Sequence, residues 1–165
     1  MKSYLKIFGI FSLGLLLTLA SCKDDDDDKA PSKTTKDYLT AGFWTTTSMA
    51  INPAIDFGGG MVITDYYTMM PACEQDNLIR FNADGTITDD EGATKCDPSA
   101  PQTVTEGTWQ LSSDNASLTV DYPDEDPMTL VIIELNDNTF KGKYTFLEDF
   151  GFGLTTYEVT ITMVK

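Results

Sequence analysis

Residues 139–164 read TFKGKYTFLEDFGFGLTTYEVTITMV, and they divide into two strand-like halves around a glycine-rich turn. In the second half, apolar side chains alternate with threonines and a glutamate, and the apolar set is Tyr157, Val159, Ile161 and Met163. A period of two is typical of a strand with one buried face and one wetted face. The stretch therefore predicts an antiparallel sheet that closes over an apolar core.

Similar segments extend back to Phe43. We expect eight strands, at about 43–51, 77–82, 86–90, 103–111, 116–122, 128–135, 139–148 and 154–164. Helical periodicity is weak, and at most a short turn is expected before Gly42. The stretch 52–72 is expected to be irregular because it contains the run Gly58-Gly59-Gly60 and Pro71.

The turns between these strands are short, and Asn82-Ala83-Asp84-Gly85 is a strong hairpin signal. Sequential strands joined in this way favour an up-and-down meander. The predicted fold is all-β, an eight-stranded antiparallel meander closed as a β-barrel, since closure removes the exposed edges.

Residues 1–21 have the features of an export signal. Lys2 and Lys6 precede an apolar run that is shorter than the ~20 residues of a membrane span. The run ends in Leu19-Ala20-Ser21-Cys22, which resembles the lipobox of bacterial lipoproteins. That resemblance implies a signal peptide over 1–21 and a covalent lipid, such as palmitate, on Cys22. No other cofactor is expected.

Residues 22–36 are predicted to be a lipidated, flexible tether. Five consecutive aspartates, Asp24–Asp28, repel one another and stay solvated. Acidic residues behind a lipidated cysteine resemble the surface-export signal of Bacteroidota lipoproteins. The resemblance implies a lipid anchor in the outer membrane with the protein facing the cell exterior. A plain spacer in a periplasm-facing protein is the alternative, and the folded domain is expected over 37–165.

The composition argues against several classes of function. The 165-residue chain has 11 basic and 26 acidic residues, a net charge of −15 and no histidine. An acidic surface repels nucleic acid, so no nucleic-acid partner is expected. Most carboxylates fall in turns such as Asp89-Asp90-Glu91, where a solvated rim is expected. Without a nucleophile and base pair or a ligand cluster, we expect no enzyme, no catalytic residue and no metal site.

Cys73 and Cys96 remain once Cys22 carries the lipid. An even pair of cysteines in an exported chain favours a disulfide. Closing that loop would contribute roughly 3 kcal/mol by the chain-entropy argument. Two free buried thiols are the alternative, and a zinc site would lack ligands.

Three motifs resemble the lipocalin-like domains of Bacteroidota lipoproteins and, more distantly, the lipocalins. Gly42-Phe43-Trp44 matches the Gly-x-Trp of the first lipocalin strand. The stretch 73–86, CEQDNLIRFNADGT, has the cysteine, polar turn, strand and Asp-Gly-Thr hairpin of those domains, and Gly107-Thr108-Trp109 opens the next strand. Thr64-Asp65-Tyr66 differs in chain position from the related lipocalin motif. The resemblance covers most of 37–165 and implies a lipocalin-like (calycin) barrel.

An eight-stranded barrel is wide enough to hold one small ligand or to be filled by its own side chains. We expect a carrier of a small hydrophobic or amphipathic ligand, contacted by inward aromatic residues: Trp44, Trp109, Tyr122, Tyr144 and Tyr157. The alternative is a filled barrel, a structural or adhesion module that binds a glycan, an envelope protein or a host protein through its surface and loops. In the long early loop, a patch that serves as a lid or an adhesive surface is expected at Tyr66, Tyr67, Met69 and Met70, and the alternative is that this loop plugs one end of the barrel.

Overall fold

The computed structural model describes residues 32–151 and 153–165. The elements in chain order are α1 (Thr35–Thr40), β1 (Phe43–Asp56), β2 (Val62–Asp65), a 3-10 helix (Tyr66–Met69), α2 (Ala72–Gln75), β3 (Leu78–Phe81), β4 (Thr86–Asp90), β5 (Thr103–Leu111), β6 (Ser117–Asp121), β7 (Met128–Leu135), β8 (Thr139–Glu148) and β9 (Thr155–Val164). Within these residues, every helix is too short or too polar to cross a membrane.

The strands form one antiparallel sheet that closes on itself. The order runs from β1 to β3 and then strand by strand to β9, which pairs with β1 between Thr45↔Val164 and Asn52↔Glu158. This closure confirms the predicted eight-stranded antiparallel barrel. A ninth strand, β2, follows β3 along the same edge of β1, as in the pair Ile55↔Ile63.

The first strand is longer than predicted. It has 14 residues, and residues 52–56 continue it instead of starting an irregular stretch. The glycines of the run 58–60 all have positive φ, and they turn the chain back into β2. The expectation that 52–72 is irregular was wrong for the start of this stretch. The glycine and proline signals mark only the turn, whereas Ile51 and Ile55 are both buried in the core.

Helix α1 also exceeds the short turn that was expected before Gly42. Thr34 caps it, because its hydroxyl accepts the Asp37 N–H at 3.2 Å while the Asp37 carboxylate accepts the Thr34 N–H at 2.7 Å. The helix begins at Thr35, two positions before the expected start of the domain.

One end of the barrel is closed by Trp44 and α1. The side chains of Leu39 and Trp44 are fully buried, and the indole N–H of Trp44 donates to the Leu39 carbonyl at 2.9 Å. Phe140 packs edge-on against Trp44 with ring centroids 6.4 Å apart, and the Lys165 ammonium lies 4.2 Å from the indole centroid. We call this group the plug.

The opposite end, the mouth, is formed by the turns 57–61 and 122–127, by residues 149–151 and 153–154, and by the long loops before β3 and β5. The disulfide Cys73–Cys96 joins two of these loops, with Cα atoms 5.2 Å apart, and confirms the predicted pairing. Asp65 ties β2 to β1, because its carboxylate accepts the Ser48 hydroxyl at 2.6 Å and the Met49 N–H at 2.7 Å.

Residues 32–165 form one compact unit. This unit contains every described strand, the disulfide and a continuous apolar core from Leu39 to Met163. A unit that has its own core can fold by itself.

Candidate functional site

An apolar cavity of about 210 Å³ lies inside the barrel, next to the plug. We call it the inner cavity. Thr46 and Tyr122 carry its polar atoms, and the remaining lining is apolar: Met49, Ile79, Phe81, Ile87, Val120, Met128, Leu130, Phe140, Ile161 and Met163. Apolar cavities of ~150 Å³ in proteins stay dry and take molecules of the size of benzene. The inner cavity is therefore large enough for a short apolar chain or a small ring.

A second apolar cavity, of about 280 Å³, lies at the mouth. Its lining includes five aromatic side chains: Phe57, Tyr66, Tyr144, Phe146 and Phe150. Met49 lines both this mouth cavity and the inner cavity, so the two adjoin. Methionine is unbranched and flexible, which suits a residue that separates two cavities.

A side opening of about 590 Å³ lies between β7 and β8. The ladder between these strands ends at the pair Val131↔Lys143, and the opening lies beyond that pair towards the mouth. It shares Val120, Tyr122 and Met128 with the inner cavity and Tyr144 and Phe146 with the mouth cavity. The interior therefore has two routes of access, through the mouth and through the wall.

A polar pair, Asp89 and Tyr122, lies beside the inner cavity. The Tyr122 hydroxyl donates to Asp89 Oδ1 at 3.1 Å, whereas Asp89 Oδ2 is buried and is the one buried side-chain oxygen or nitrogen in the described part that has no hydrogen-bond partner. Burial raises the pKa of the Asp89 carboxyl; the Tyr122 hydrogen bond opposes that rise, and the charge of Glu106 adds to it. Burial and the neighbouring Asp89 also raise the pKa of Tyr122.

Asp89 corrects the expectation that the 89–91 carboxylates form a solvated rim. It lies in β4 opposite Ile79, so its side chain is on the inner face of the sheet and is partly buried. Alternation along the strand contained the signal, since Asp89 stands two positions after the buried Ile87. Phe146 and Phe150 at the mouth were also not singled out as site residues.

Of the aromatic residues expected to contact a ligand, Tyr122 and Tyr144 line cavities. Trp44 belongs to the plug. Tyr157 is buried behind the mouth cavity, stacked on Phe146 at 5.3 Å. Burial disfavours the charged form of the Tyr144 hydroxyl and so raises its pKa.

Trp109 stabilises the hairpin between β3 and β4. Its indole N–H donates to the Asn82 carbonyl at 2.9 Å, and its ring meets Phe81 edge-on at 5.8 Å. Its remaining exposed edge faces grooves on the outside of the barrel, next to Asp84 and Gly85.

The four residues of the predicted loop patch differ in exposure and contacts. Tyr66 and Met69 are 52% and 51% exposed, and Tyr66 also lines the mouth cavity. The Tyr67 hydroxyl donates to the Gln75 carbonyl at 3.0 Å, and the Gln75 amide donates to the Met70 carbonyl at 2.9 Å. Tyr67 and Met70 therefore hold the loop in place, while Tyr66 and Met69 face outward.

Among residues 32–151 and 153–165, we find no group of three or more cysteine, aspartate or glutamate side chains placed to hold a metal ion.

A family model described as a lipocalin-like domain matches residues 40–142. The match begins at the end of α1 and includes β1 to β7 and the first part of β8. No curated protein matches the chain.

Proposed function

Because this chain belongs to the family of lipocalin-like domains, we propose that its barrel binds a small hydrophobic or amphipathic molecule and carries it at a membrane surface. The observation that carries the proposal is the inner cavity, which is apolar and adjoins the mouth cavity through Met49. Ligand sites of this kind are concave and mostly apolar, with a few polar groups that orient the ligand.

The plug makes this cavity a closed-ended cup. A ligand would enter through the mouth or the side opening and place its apolar part against Ile79, Phe81 and Leu130. Tyr122 and Thr46 are the groups of the lining that can form hydrogen bonds with a polar end.

The carrier function can be tested by filling the inner cavity. Residues 32–165 are titrated with decanol by isothermal calorimetry, next to the variants Val120→Phe and Val131→Phe. Val120 lines the inner cavity, whereas Val131 is on the outer face of β7. We expect Val120→Phe to weaken decanol binding by about tenfold, or 1.4 kcal/mol, and Val131→Phe to bind like the wild type. Equal binding by both variants, each checked by circular dichroism, would place decanol outside the barrel.

The lipid anchor and the surface location are part of this proposal, and the residues concerned, Cys22 and Asp24–Asp28, lie outside the described residues. The support is the resemblance of 19–22 to a lipobox and of the aspartate run to a surface-export signal. The described chain starts at the closed end of the barrel, where Lys33 pairs with Asp137.

The anchor is tested in cells that produce the full chain. An alkynyl fatty acid supplied to the cells should label the wild type and Lys29→Ala but not Cys22→Ala. Protease added to intact cells should degrade the wild type, whereas a variant with alanine at 24–28 should be protected. Labelling of Cys22→Ala contradicts the anchor, and protection of the wild type contradicts the surface location.

A second candidate function rests on the exposed apolar side chains around the mouth, which include Phe57, Met61, Tyr66 and Met69. Contiguous apolar surface of this kind marks an interaction site. The partner would be an envelope protein, a host protein or a glycan. We expect the double variant Tyr66→Ala/Met69→Ala to lower adhesion of residues 32–165 to host cells, and Val131→Ala/Ile133→Ala on the outer face of β7 to leave it unchanged. Equal adhesion by both double variants contradicts this function.

A further inference from the structure

We propose that the molecule carried by the barrel has a protonated amine as its polar head, and that this amine pairs with Asp89 beside the inner cavity. This inference rests on the proposed carrier function and names the class of ligand. The class is an amphiphile with an apolar chain or ring and an ammonium group.

The first argument is the position of the carboxyl group. Asp89 faces Ile79 across the β3–β4 ladder and accepts a hydrogen bond from Tyr122, and both of these neighbours line the inner cavity. Directly opposed residues in an antiparallel pair have Cβ atoms about 5 Å apart. The carboxyl group therefore lies next to two residues that line the cavity, Ile79 and Tyr122.

Gly107 of β5 makes this arrangement possible. A Cβ atom on Gly107 would lie 2.8 Å from Cε1 of Tyr122, which is closer than Cβ atoms come to other carbon atoms in proteins. The absent side chain lets the Tyr122 ring lie across β5 and extend its hydroxyl to Asp89 on β4. The polar pair thus depends on β4, on β5 and on the residue that follows β6.

The second argument is the unpartnered oxygen. Asp89 Oδ2 is buried without a donor, whereas buried polar atoms in proteins almost always have one. An ammonium group has three donors and would satisfy Oδ2 with a charge-assisted hydrogen bond. A second N–H could donate to the Tyr122 hydroxyl oxygen, which already donates its own proton to Oδ1. The alkyl part would then point into the inner cavity.

The third argument is the charge along the route of entry. Glu125 and Asp126 line the side opening, and in the described part no lysine or arginine lines the side opening, the mouth cavity or the inner cavity. The whole chain carries a net charge of −15. A fatty-acid carboxylate would meet like charge at the side opening and no basic partner inside, whereas a cation is attracted by the acidic residues of the side opening.

The experiment compares three probes of equal chain length: decylamine, decanol and decanoate. Each is titrated into residues 32–165 at neutral pH by isothermal calorimetry. We expect the wild type to bind decylamine about tenfold more tightly than decanol, which is the effect of one hydrogen bond to a charged group, and decanoate most weakly.

Asp89→Asn should remove the preference for the amine, so that decylamine binds no more tightly than decanol. Asp121→Asn is the matched control, because it removes one negative charge from an exposed position at the end of β6. It should bind all three probes like the wild type. Tyr122→Phe keeps the ring and removes the hydroxyl that bonds Asp89, so it should reduce the preference for decylamine over decanol, which provides a second variant if Asp89→Asn does not fold.

The outcomes separate the two proposals. If decanol binds and Val120→Phe blocks it, but decylamine binds no more tightly than decanol, the carrier function stands and the amine inference is overturned. A preference for decylamine that persists in Asp89→Asn also overturns the inference. If none of the three probes binds the wild type, both proposals fail.

Discussion

At the scale of single residues, Asp89 is the position where folding and ligand binding make opposite demands. A buried carboxylate oxygen without a partner costs free energy in the ligand-free protein, because water no longer solvates it. Proteins concentrate such violations at functional sites. The exposed turn aspartates differ, since the Thr86 hydroxyl and N–H lower the pKa of Asp84 and so favour its charged form.

We predict that Asp89→Asn stabilises the ligand-free protein at neutral pH by about 1 kcal/mol, because burial costs a neutral amide less than a charged carboxylate. The ordinary pKa of the carboxyl is 3.8, and burial raises it in the folded chain. The folded chain therefore binds this proton more tightly, and the stability that Asp89 contributes is full below 3.8 and is lost as the pH rises through the raised pKa. The gain from Asp89→Asn should accordingly vanish in acid.

Urea unfolding followed by circular dichroism, at neutral pH and well below 3.8, measures this difference. Asp121→Asn serves as the control, because Asp121 lies exposed at the end of β6. An Asp89→Asn protein that is no more stable than the wild type at neutral pH would show that the carboxylate is not destabilised in the barrel.

At the scale of secondary-structure elements, glycine determines how closely side chains pack across the inner face. Gly142 lies in β8, and a Cβ atom there would meet Phe140 Cζ at 2.8 Å and Leu130 Cβ at 3.2 Å. Both of these residues are buried and line the inner cavity. The glycine therefore leaves room for the Phe140 ring, which lies over Gly142 and also contacts Trp44 in the plug.

We predict that Gly142→Ala destabilises the barrel by about 1–3 kcal/mol, the usual range for overpacking a core. Gly42→Ala is the matched control, since the nearest atom to a Cβ there is the Lys165 Cδ at 3.9 Å, an ordinary contact. Thermal and urea unfolding of both variants tests the prediction. Equal stability of the two would mean that Phe140 moves at no cost.

At the scale of the whole molecule, closure of the sheet and excess charge act together. The β1–β9 pairing removes the two open edges, which is a safeguard against edge-to-edge association. The strong acidic excess works against compactness. Ion pairs such as Lys143–Glu158 are partly exposed, and pairs of this kind contribute ~0–1 kcal/mol each.

We predict that sodium chloride raises the urea midpoint of residues 32–165. Salt screens both the attractive pairs and the general repulsion, and the repulsion is the larger effect because residues 32–165 have 21 acidic and 7 basic side chains. Unfolding in low and in high sodium chloride at constant pH measures the change. A midpoint that falls with salt would show that the few ion pairs outweigh the repulsion.

The sequence alone determined that the chain forms a closed antiparallel barrel and which faces of its strands are buried. Alternation in 139–164 placed Phe140, Tyr157 and Ile161 on one face, and the structure buries all three. The turn at 82–85 forms as predicted, with Gly85 at a φ of +91° and its N–H bonded to the Asn82 carbonyl. Such features are local, because strand periodicity and turn conformation depend on residues that are adjacent in the chain.

Tertiary structure alone decided where the interior stays empty and where it is polar. The inner cavity, the early end of the β7–β8 ladder and the burial of Asp89 each depend on side chains brought together from distant strands. Tyr122, for example, reaches Asp89 across 33 positions of sequence. Alternation tells which side chains face inward, but free volume is the space that those side chains leave once they pack, and packing is a property of the closed barrel.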